Sequence, residues 1–155
     1  MRFPYFAGMK KYPFILPYDV LWGEMDSLGH VNNAVYFRYF EQARINILHD
    51  LGFDLDQRSW SDKGPILAKI ECSFRRPIIY PDKLIIGSWV KKIGNSSILI
   101  DHEIWSESQK SVVTMAETVM VFANFKTGET IRVSDEFREK VRELQNDSDF
   151  QLHTP

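Results

Sequence analysis

The chain has 155 residues, 44% of them hydrophobic, and a formal net charge of −2 at pH 7. This size fits one globular domain with a single sizeable core, and the lack of net positive charge argues against non-specific binding to nucleic acid. The single cysteine, Cys72, excludes an intramolecular disulfide and a cysteine-based zinc cluster, so the cytoplasm is the expected compartment.

The first part of the chain predicts a strand and no membrane segment. Prolines at positions 4, 13 and 17 break up the stretch around the early basic residues, so neither a signal peptide nor a membrane span is expected. The aromatic and aliphatic run over residues 13–22 predicts a short strand that is interrupted near Pro17.

A long amphipathic helix is predicted over residues 34–51. Apolar residues recur there at helical spacing, and polar residues lie on the opposite face. Asn32 or Asn33 is expected to cap the N-terminus of this helix, and Gly52 is expected to end it.

Four strands are predicted after an irregular polar stretch, residues 54–64, which ends in the turn signal Gly64-Pro65. The strands span residues 66–76, 83–93, 97–105 and 111–125, and the links between the last three are of hairpin size. Because a parallel pair needs a crossover of a dozen or more residues, these links predict a four-strand meander in a mainly antiparallel sheet.

A short helix and a tail complete the predicted layout. Ser134 is expected to cap a helix over residues 134–146, and residues 147–155 are expected to form a frayed tail. The whole chain, residues 1–155, is thus predicted to be one α+β domain.

Ionisable groups, turn formers and a helix start occur together in residues 22–41, which read WGEMDSLGHVNNAVYFRYFE. Three residues separate Asp26 from His30, and Asn32 and Asn33 follow. This order places a carboxylate beside the unpaired N–H groups of a helix N-terminus, where developing negative charge is stabilised. Such N–H groups can donate to a substrate carbonyl that becomes an oxyanion, so the segment predicts a catalytic site.

Structural explanations compete with the catalytic one. Asp26 could cap its own turn, and His30 could be a buried imidazole that is hydrogen-bonded to the backbone. Glu24, Asp26 and His30 could bind a metal, but their spacing matches no recognised ligand pattern, and no metal is expected. Glu41 could pair with a neighbouring arginine on the helix surface.

Motifs along the chain carry a family resemblance. The first is Asp26-Ser-Leu-Gly-His30-Val-Asn-Asn33-Ala-Val-Tyr36, followed by Glu41-Gln-Ala-Arg44. The later ones are Phe74-Arg-Arg-Pro77, Pro81-Asp82 and Ile93-Gly-Asn-Ser-Ser97. Together they resemble the hotdog-fold acyl-CoA thioesterases of the 4-hydroxybenzoyl-CoA thioesterase type, over residues 13–133.

The resemblance implies a hotdog fold, in which a five-stranded, mainly antiparallel sheet wraps a long central helix and a short C-terminal helix follows. It also implies a homodimer with active sites at the subunit interface, or a homotetramer built as a dimer of dimers. Asp26 corresponds to the catalytic aspartate, which acts as a nucleophile or as a base for water. The backbone N–H near Asn33 would polarise the thioester carbonyl, and His30 and Glu41 would support catalysis, with no metal or redox cofactor.

The expected substrate is a thioester of CoA or of acyl carrier protein. The phosphates of such a substrate require cationic or N–H-rich groups near the pocket mouth, for which Arg75, Arg76 and Ser97 are candidates. Since alternate strand residues face opposite sides, only one of the two arginines is expected to face a given ligand. Tyr36 is a candidate for the acyl pocket, although aromatic residues at helical spacing belong to the core by default.

The leading prediction is an enzyme that hydrolyses an acyl thioester to an acid and a thiol. One alternative is a hotdog hydratase or dehydratase, a branch that usually places four residues between its aspartate and histidine. The other is a non-catalytic domain that binds acyl-CoA or acyl carrier protein. Neither a nucleic acid nor a membrane is an expected partner.

Overall fold

The computed structural model describes residues 12–53 and 62–146. Most of the irregular stretch predicted over residues 54–64, and the whole tail predicted over residues 147–155, lie outside the described residues. The elements, in chain order, are β1 (Phe14–Asp19), α1 (Asn33–Asp50), β2 (Lys63–Phe74), β3 (Lys83–Ile93), β4 (Ser97–Ser106), β5 (Ser111–Asn124) and α2 (Asp135–Asn146). None of the helices in the described part of the chain combines the length and apolarity needed to cross a membrane.

The five described strands form one antiparallel sheet in the order β1-β3-β4-β5-β2. The strands β3, β4 and β5 form the predicted meander, but its extension to β2 is wrong, because β2 crosses the sheet and pairs with β5 at the far edge. The link over residues 75–82 is long enough for this step and packs against the loop before α1: the carbonyl of the fully buried Ile78 accepts from the Val31 N–H at 2.8 Å.

Two prolines lie within strands, which corrects two predictions. β1 is continuous through Pro17, which pairs with Ile85, although an interruption was predicted there. The predicted turn at Gly64-Pro65 lies inside β2 instead, with Pro65 opposite Phe122. Both strands are sheet edges, where every second N–H points away from the neighbouring strand, so the missing proline donor is tolerated.

The helix α1 lies against one face of the sheet and forms the core with it. It begins and ends one residue earlier than predicted, with Asn32 as its cap: the Asn32 side chain accepts from the Ala34 N–H at 2.9 Å. Its buried face includes Tyr39, Phe40 and Ile47, and the sheet contributes fully buried isoleucines. These isoleucines are Ile86, Ile98, Ile100 and Ile104.

The helix α2 covers the C-terminal end of α1. Phe137 and Val141 join the cluster that contains Ile47, Leu48 and Leu51. The predicted cap is confirmed, because the Ser134 hydroxyl oxygen accepts from the Phe137 N–H at 3.1 Å. At the other end, the N-terminus of α1, the loop before the helix packs against the link between β2 and β3.

Candidate active site

The loop before α1 folds back on itself as a narrow ribbon. The Asp26 N–H donates to the His30 carbonyl at 2.8 Å, and the Gly29 N–H donates to the Asp26 carbonyl at 3.0 Å. Gly29 has a φ of +78°, a conformation that other L-residues rarely adopt, so this turn requires glycine. The turn returns the chain to Asp26, so that His30 and the start of α1 lie beside that carboxylate.

Asp26 is half-buried, and only part of its hydrogen-bonding capacity serves the turn. Its Oδ1 accepts from the Leu28 N–H at 2.9 Å, as expected for an aspartate that stabilises its own turn. Among the described residues, no hydrogen bond to Oδ2 is present. The turn explanation therefore accounts for one carboxylate oxygen and leaves the other for a ligand.

An open cleft of about 430 Å³ lies where the loop, the start of α1 and the end of β2 meet. It is lined by Asp26, Leu28, His30, Val31, Asn33, Tyr36, Phe74, Arg75, Arg76 and Pro77. Six of the eight residues predicted for the site thus lie around one cavity. Leu28, Val31, Phe74 and Pro77 were not predicted as site residues, although all four belong to the motifs that carry the family resemblance.

Arg75 and Arg76 both line this cleft, which corrects the expectation that only one of them faces a ligand. That expectation assumed that both residues belong to a strand, whereas β2 ends at Phe74. Their N–H groups both donate to the Val113 carbonyl, at 2.9 and 3.1 Å, so the chain turns out of the sheet at this point. Two exposed guanidinium groups therefore stand at one side of the cleft.

The N-terminus of α1 supplies backbone donors to the same cleft. The Ala34 N–H is taken by the Asn32 side chain, and the Val35 N–H donates to the Asn32 carbonyl at 2.9 Å. Within the described residues, the Asn33 N–H donates no hydrogen bond. This group, together with the helix dipole, gives the cleft a positive end.

Tyr36 forms a wall of the cleft and also holds the link after β2. Its ring meets the ring of Phe74 edge to face at 5.0 Å between centroids, and its hydroxyl oxygen accepts from the Ile78 N–H at 3.2 Å. Burial raises the pKa of the Tyr36 hydroxyl above its ordinary value, so the group stays neutral. Tyr36 is thus both a core residue and a lining residue.

Glu41 and Ser97 lie outside this cleft. Glu41 is exposed on α1, where its charge raises the pKa of the buried Arg44 against the larger lowering effect of burial. Ser97 begins β4 opposite Val121, whereas Phe74 pairs with Thr114. Seven residues along β5 separate these two registers, which is roughly 23 Å.

Glu24 does not line the cleft and does not join Asp26 and His30 in a metal site. Its carboxylate accepts hydrogen bonds from the hydroxyls of Tyr18 and Tyr39 instead. In residues 12–53 and 62–146, no group of three or more histidine, cysteine, aspartate or glutamate side chains is arranged to hold a metal ion.

Comparisons with known proteins place these features in a family. A family model described as the Thioesterase-like superfamily matches residues 20–141. The long-chain acyl-CoA thioesterase FadM of Escherichia coli K12 is 28% identical over 123 residues, which cover 77% of this chain and 90% of the relative. The chloroplastic acyl-acyl carrier protein thioesterase ATL3 of Arabidopsis thaliana is 25% identical over 117 residues, 76% of this chain and 61% of the relative.

Solved structures with a similar fold include thioesterases. A thioesterase of Thermus thermophilus, solved in complex with coenzyme A and Zn, superposes with a TM-score of 0.77 at 28% identity, over 88% of this chain and 97% of that one. These comparisons confirm the predicted hotdog fold and the predicted enzyme class, thioester hydrolase. They disfavour both the hydratase and the non-catalytic alternatives.

Proposed function

Because the chain belongs to the Thioesterase-like superfamily, we propose that it hydrolyses acyl-CoA to a free acid and CoA, with Asp26 as the catalytic carboxylate. The observation that carries this proposal is the composition of the cleft. It combines a half-buried carboxylate that has a free oxygen, a helix N-terminus and two arginines. Hydrolysis of an acyl-CoA needs three things: a nucleophile or base, a donor to the thioester carbonyl oxygen and positive charge near the CoA phosphates.

Asp26 can act by either of two routes. As a nucleophile, its Oδ2 attacks the thioester carbon, the CoA thiolate leaves and takes up a proton, and water then hydrolyses the mixed anhydride. As a base, it takes a proton from water, whose oxygen attacks the same carbon; the CoA thiolate then leaves and takes up that proton. Both routes pass through a tetrahedral intermediate whose oxygen carries negative charge.

The start of α1 would stabilise that negative charge. The Asn33 N–H is the proposed donor. It makes no other hydrogen bond within the described residues, and it lies at the N-terminus of α1, the positive end of the helix dipole. His30 lines the same cleft and is proposed to support the reaction by contacting the attacking water or the leaving sulfur.

Arg75 and Arg76 are the proposed contacts for the phosphates of CoA. Their guanidinium groups are exposed at the side of the cleft, where they can pair with phosphate oxygens without loss of a buried partner. Tyr36 and Phe74 would then contact the acyl end of the substrate.

A second copy of the chain would complete the site. β2 is an edge strand of 12 residues with half-exposed apolar side chains at Ile66, Leu67 and Phe74, and unpaired edges of this kind favour pairing with another strand. We propose a homodimer, or a homotetramer built from two such dimers. Glu41 and Ser97 do not line the cleft of their own chain, and we propose that they contribute to the site of the partner subunit.

A thiol-release assay across short, long and aromatic acyl-CoAs tests the proposal. Asp26→Asn keeps the shape of the side chain but removes its charge, and we expect it to lower kcat about 10³-fold on the best substrate. Asp19→Asn, at the exposed end of β1, is the matched control and is expected to keep the wild-type rate.

The acyl carrier is the second variable of that assay. An acyl-CoA and the same acyl group on an acyl carrier protein are compared at equal concentration, because a relative of this chain carries the second activity in its name. Turnover of neither carrier by the wild-type protein would overturn the proposed function.

A further inference from the structure

Glu24, two residues before Asp26, is held by three donors from three parts of the chain. Its Oε1 accepts from the Tyr18 hydroxyl at 2.5 Å, and its Oε2 accepts from the Tyr39 hydroxyl at 2.8 Å and from the Leu21 N–H at 2.9 Å. Tyr18 belongs to β1, and Tyr39 lies on the second turn of α1. One carboxylate therefore ties the loop to the sheet edge and to the helix.

The backbone of the same residue joins the two sides of the ribbon that contains Asp26. The Glu24 carbonyl accepts from the Asn32 N–H at 2.9 Å, directly before the first turn of α1. Between these two residues, Met25 bridges Val31 and Asp26 bonds His30. Movement of Glu24 would therefore shift Asp26 relative to the N–H groups at the helix start.

The two tyrosines are rigid partners for this carboxylate. Their rings pack with centroids 4.6 Å apart, and Tyr39 is almost fully buried. Burial and the hydrogen bond to Glu24 raise the pKa of Tyr18 to about 12 and also raise the pKa of Tyr39, so both hydroxyls stay protonated and remain donors. A charged acceptor with three donors is satisfied, whereas loss of one member leaves buried polar groups without partners.

We propose that Glu24, clamped by Tyr18 and Tyr39, is a positioning residue that sets the distance between the Asp26 carboxylate and the N–H groups at the start of α1. This proposal rests on the proposed function, because it assigns to Asp26 the catalytic step. Glu24 contacts no substrate in this account. It acts by holding the ribbon in the geometry that the reaction needs.

Four variants test the clamp by steady-state kinetics well below the melting temperature, and the first two are single substitutions. Tyr39→Phe removes one hydroxyl and keeps the ring, and we expect kcat to fall about 10-fold. Glu24→Ala removes all three bonds and is expected to lower kcat about 100-fold, since a misplacement near 1 Å can cost that much. KM is expected to change less than about threefold in both, because the arginines and the cleft wall stay in place.

Glu24→Gln keeps the length of the side chain and an acceptor oxygen, and it is expected to lie between the wild type and Glu24→Ala in kcat. The double variant Glu24→Ala with Tyr39→Phe is expected to match Glu24→Ala alone, because the members of one clamp act as a unit. Two independent structural defects would instead multiply their effects.

Tyr12→Phe is the matched control. Tyr12 also donates its hydroxyl to a carboxylate, that of Glu103, at a position in the sheet far along the sequence from the loop. We expect this variant to lower the melting temperature without lowering kcat. If Glu24→Ala and Tyr39→Phe behave like Tyr12→Phe, with stability reduced and kcat within about twofold of the wild type, the positioning role is wrong.

The outcome remains decisive if Glu24→Ala does not fold, because Tyr39→Phe alone then carries the test. An inactive wild-type protein would overturn the proposed function, whereas an active wild type with unaffected clamp variants would overturn only this inference.

Discussion

Two open clefts lie at opposite ends of the link between β2 and β3, and both are lined by aspartates. The cleft that contains Asp26 is bordered by Arg75 and Arg76 at the beginning of the link. The other, of about 490 Å³, is bordered by Tyr80, Pro81 and Asp82 at its end, together with Asp19 and Glu107. The second cleft is somewhat larger and also has carboxylates and a lysine, but neither α1 nor α2 begins at it, so size alone does not identify the site.

Asp26 and Asp82 differ in how many hydrogen bonds their carboxylate oxygens accept. Asp82 is buried: its Oδ1 accepts from the N–H groups of Lys83 and Ser108, at 2.8 and 3.0 Å, and its Oδ2 accepts from the Ser106 hydroxyl. Asp26 is half-buried and gives one oxygen to its turn. A carboxylate whose acceptors are saturated holds a fold together, whereas one with a free oxygen beside a helix N-terminus can react.

His102 and His30 differ in the same way, in burial and in hydrogen bonding. His102 is buried, and its two ring nitrogens share hydrogen bonds with Ser88 at 2.7 Å and Thr118 at 3.1 Å. Burial, and then the charge of Arg44, lower the pKa of His102 to about 3. His30 lines the open cleft beside Asp26. Asp82 and His102 are buried and fully hydrogen-bonded, which is typical of structural residues. Asp26 and His30 line an open cleft and are the candidates for catalysis.

The largest effect expected from this contrast is on stability. Asp82→Asn replaces an acceptor oxygen by an amide that faces hydrogen-bond donors, and we expect it to lower the free energy of unfolding by about 3 kcal/mol. Chemical denaturation measures this change. The rate of thioester hydrolysis by the folded fraction should stay at the wild-type value. A loss of kcat in that fraction would show that Asp82 is not only a structural residue.

The next effect is a pH dependence of stability. Because the pKa of His102 is about 3 in the folded chain and near 6.5 when unfolded, the unfolded state binds more protons between these values. The contribution of His102 is therefore fully present above about pH 6.5 and falls by about 2 kcal/mol by about pH 5. Unfolding curves at about pH 7 and about pH 5 measure it, and in His102→Asn this loss should be smaller; an equal loss would show that other groups cause it.

The smallest effect concerns the charge of the two clefts. Arg75→Ala combined with Arg76→Ala is expected to raise KM for acyl-CoA about 10-fold with little change in kcat, since the arginines bind a part of the substrate that does not react. Lys83→Ala, at the other cleft, is the control. An equal rise in KM for both variants would show that Arg75 and Arg76 are not the specific contacts for the CoA phosphates.

The helices and the meander could be predicted from periodicity, because each of those elements has a repeating apolar pattern and short links. The position of β2 could not, since a link of residues 75–82 permits either a neighbouring or a distant strand. The motif that begins at Asp26 predicted a catalytic site, and Asp26, His30 and Asn33 line one cleft; their role in catalysis stays a prediction. The clamp was not predictable, because 15 positions separate Glu24 from Tyr39 and only the packing of α1 against β1 brings them together.

The most direct measurement compares Asp26→Asn and Asp82→Asn at one temperature at which both variants are folded. We predict that Asp26→Asn loses thioester hydrolysis about 10³-fold while its melting temperature stays near that of the wild type, and that Asp82→Asn keeps its rate but has a lower melting temperature. An Asp26→Asn protein that keeps its rate, or that loses rate only in step with stability, would contradict the assignment of the reaction to Asp26.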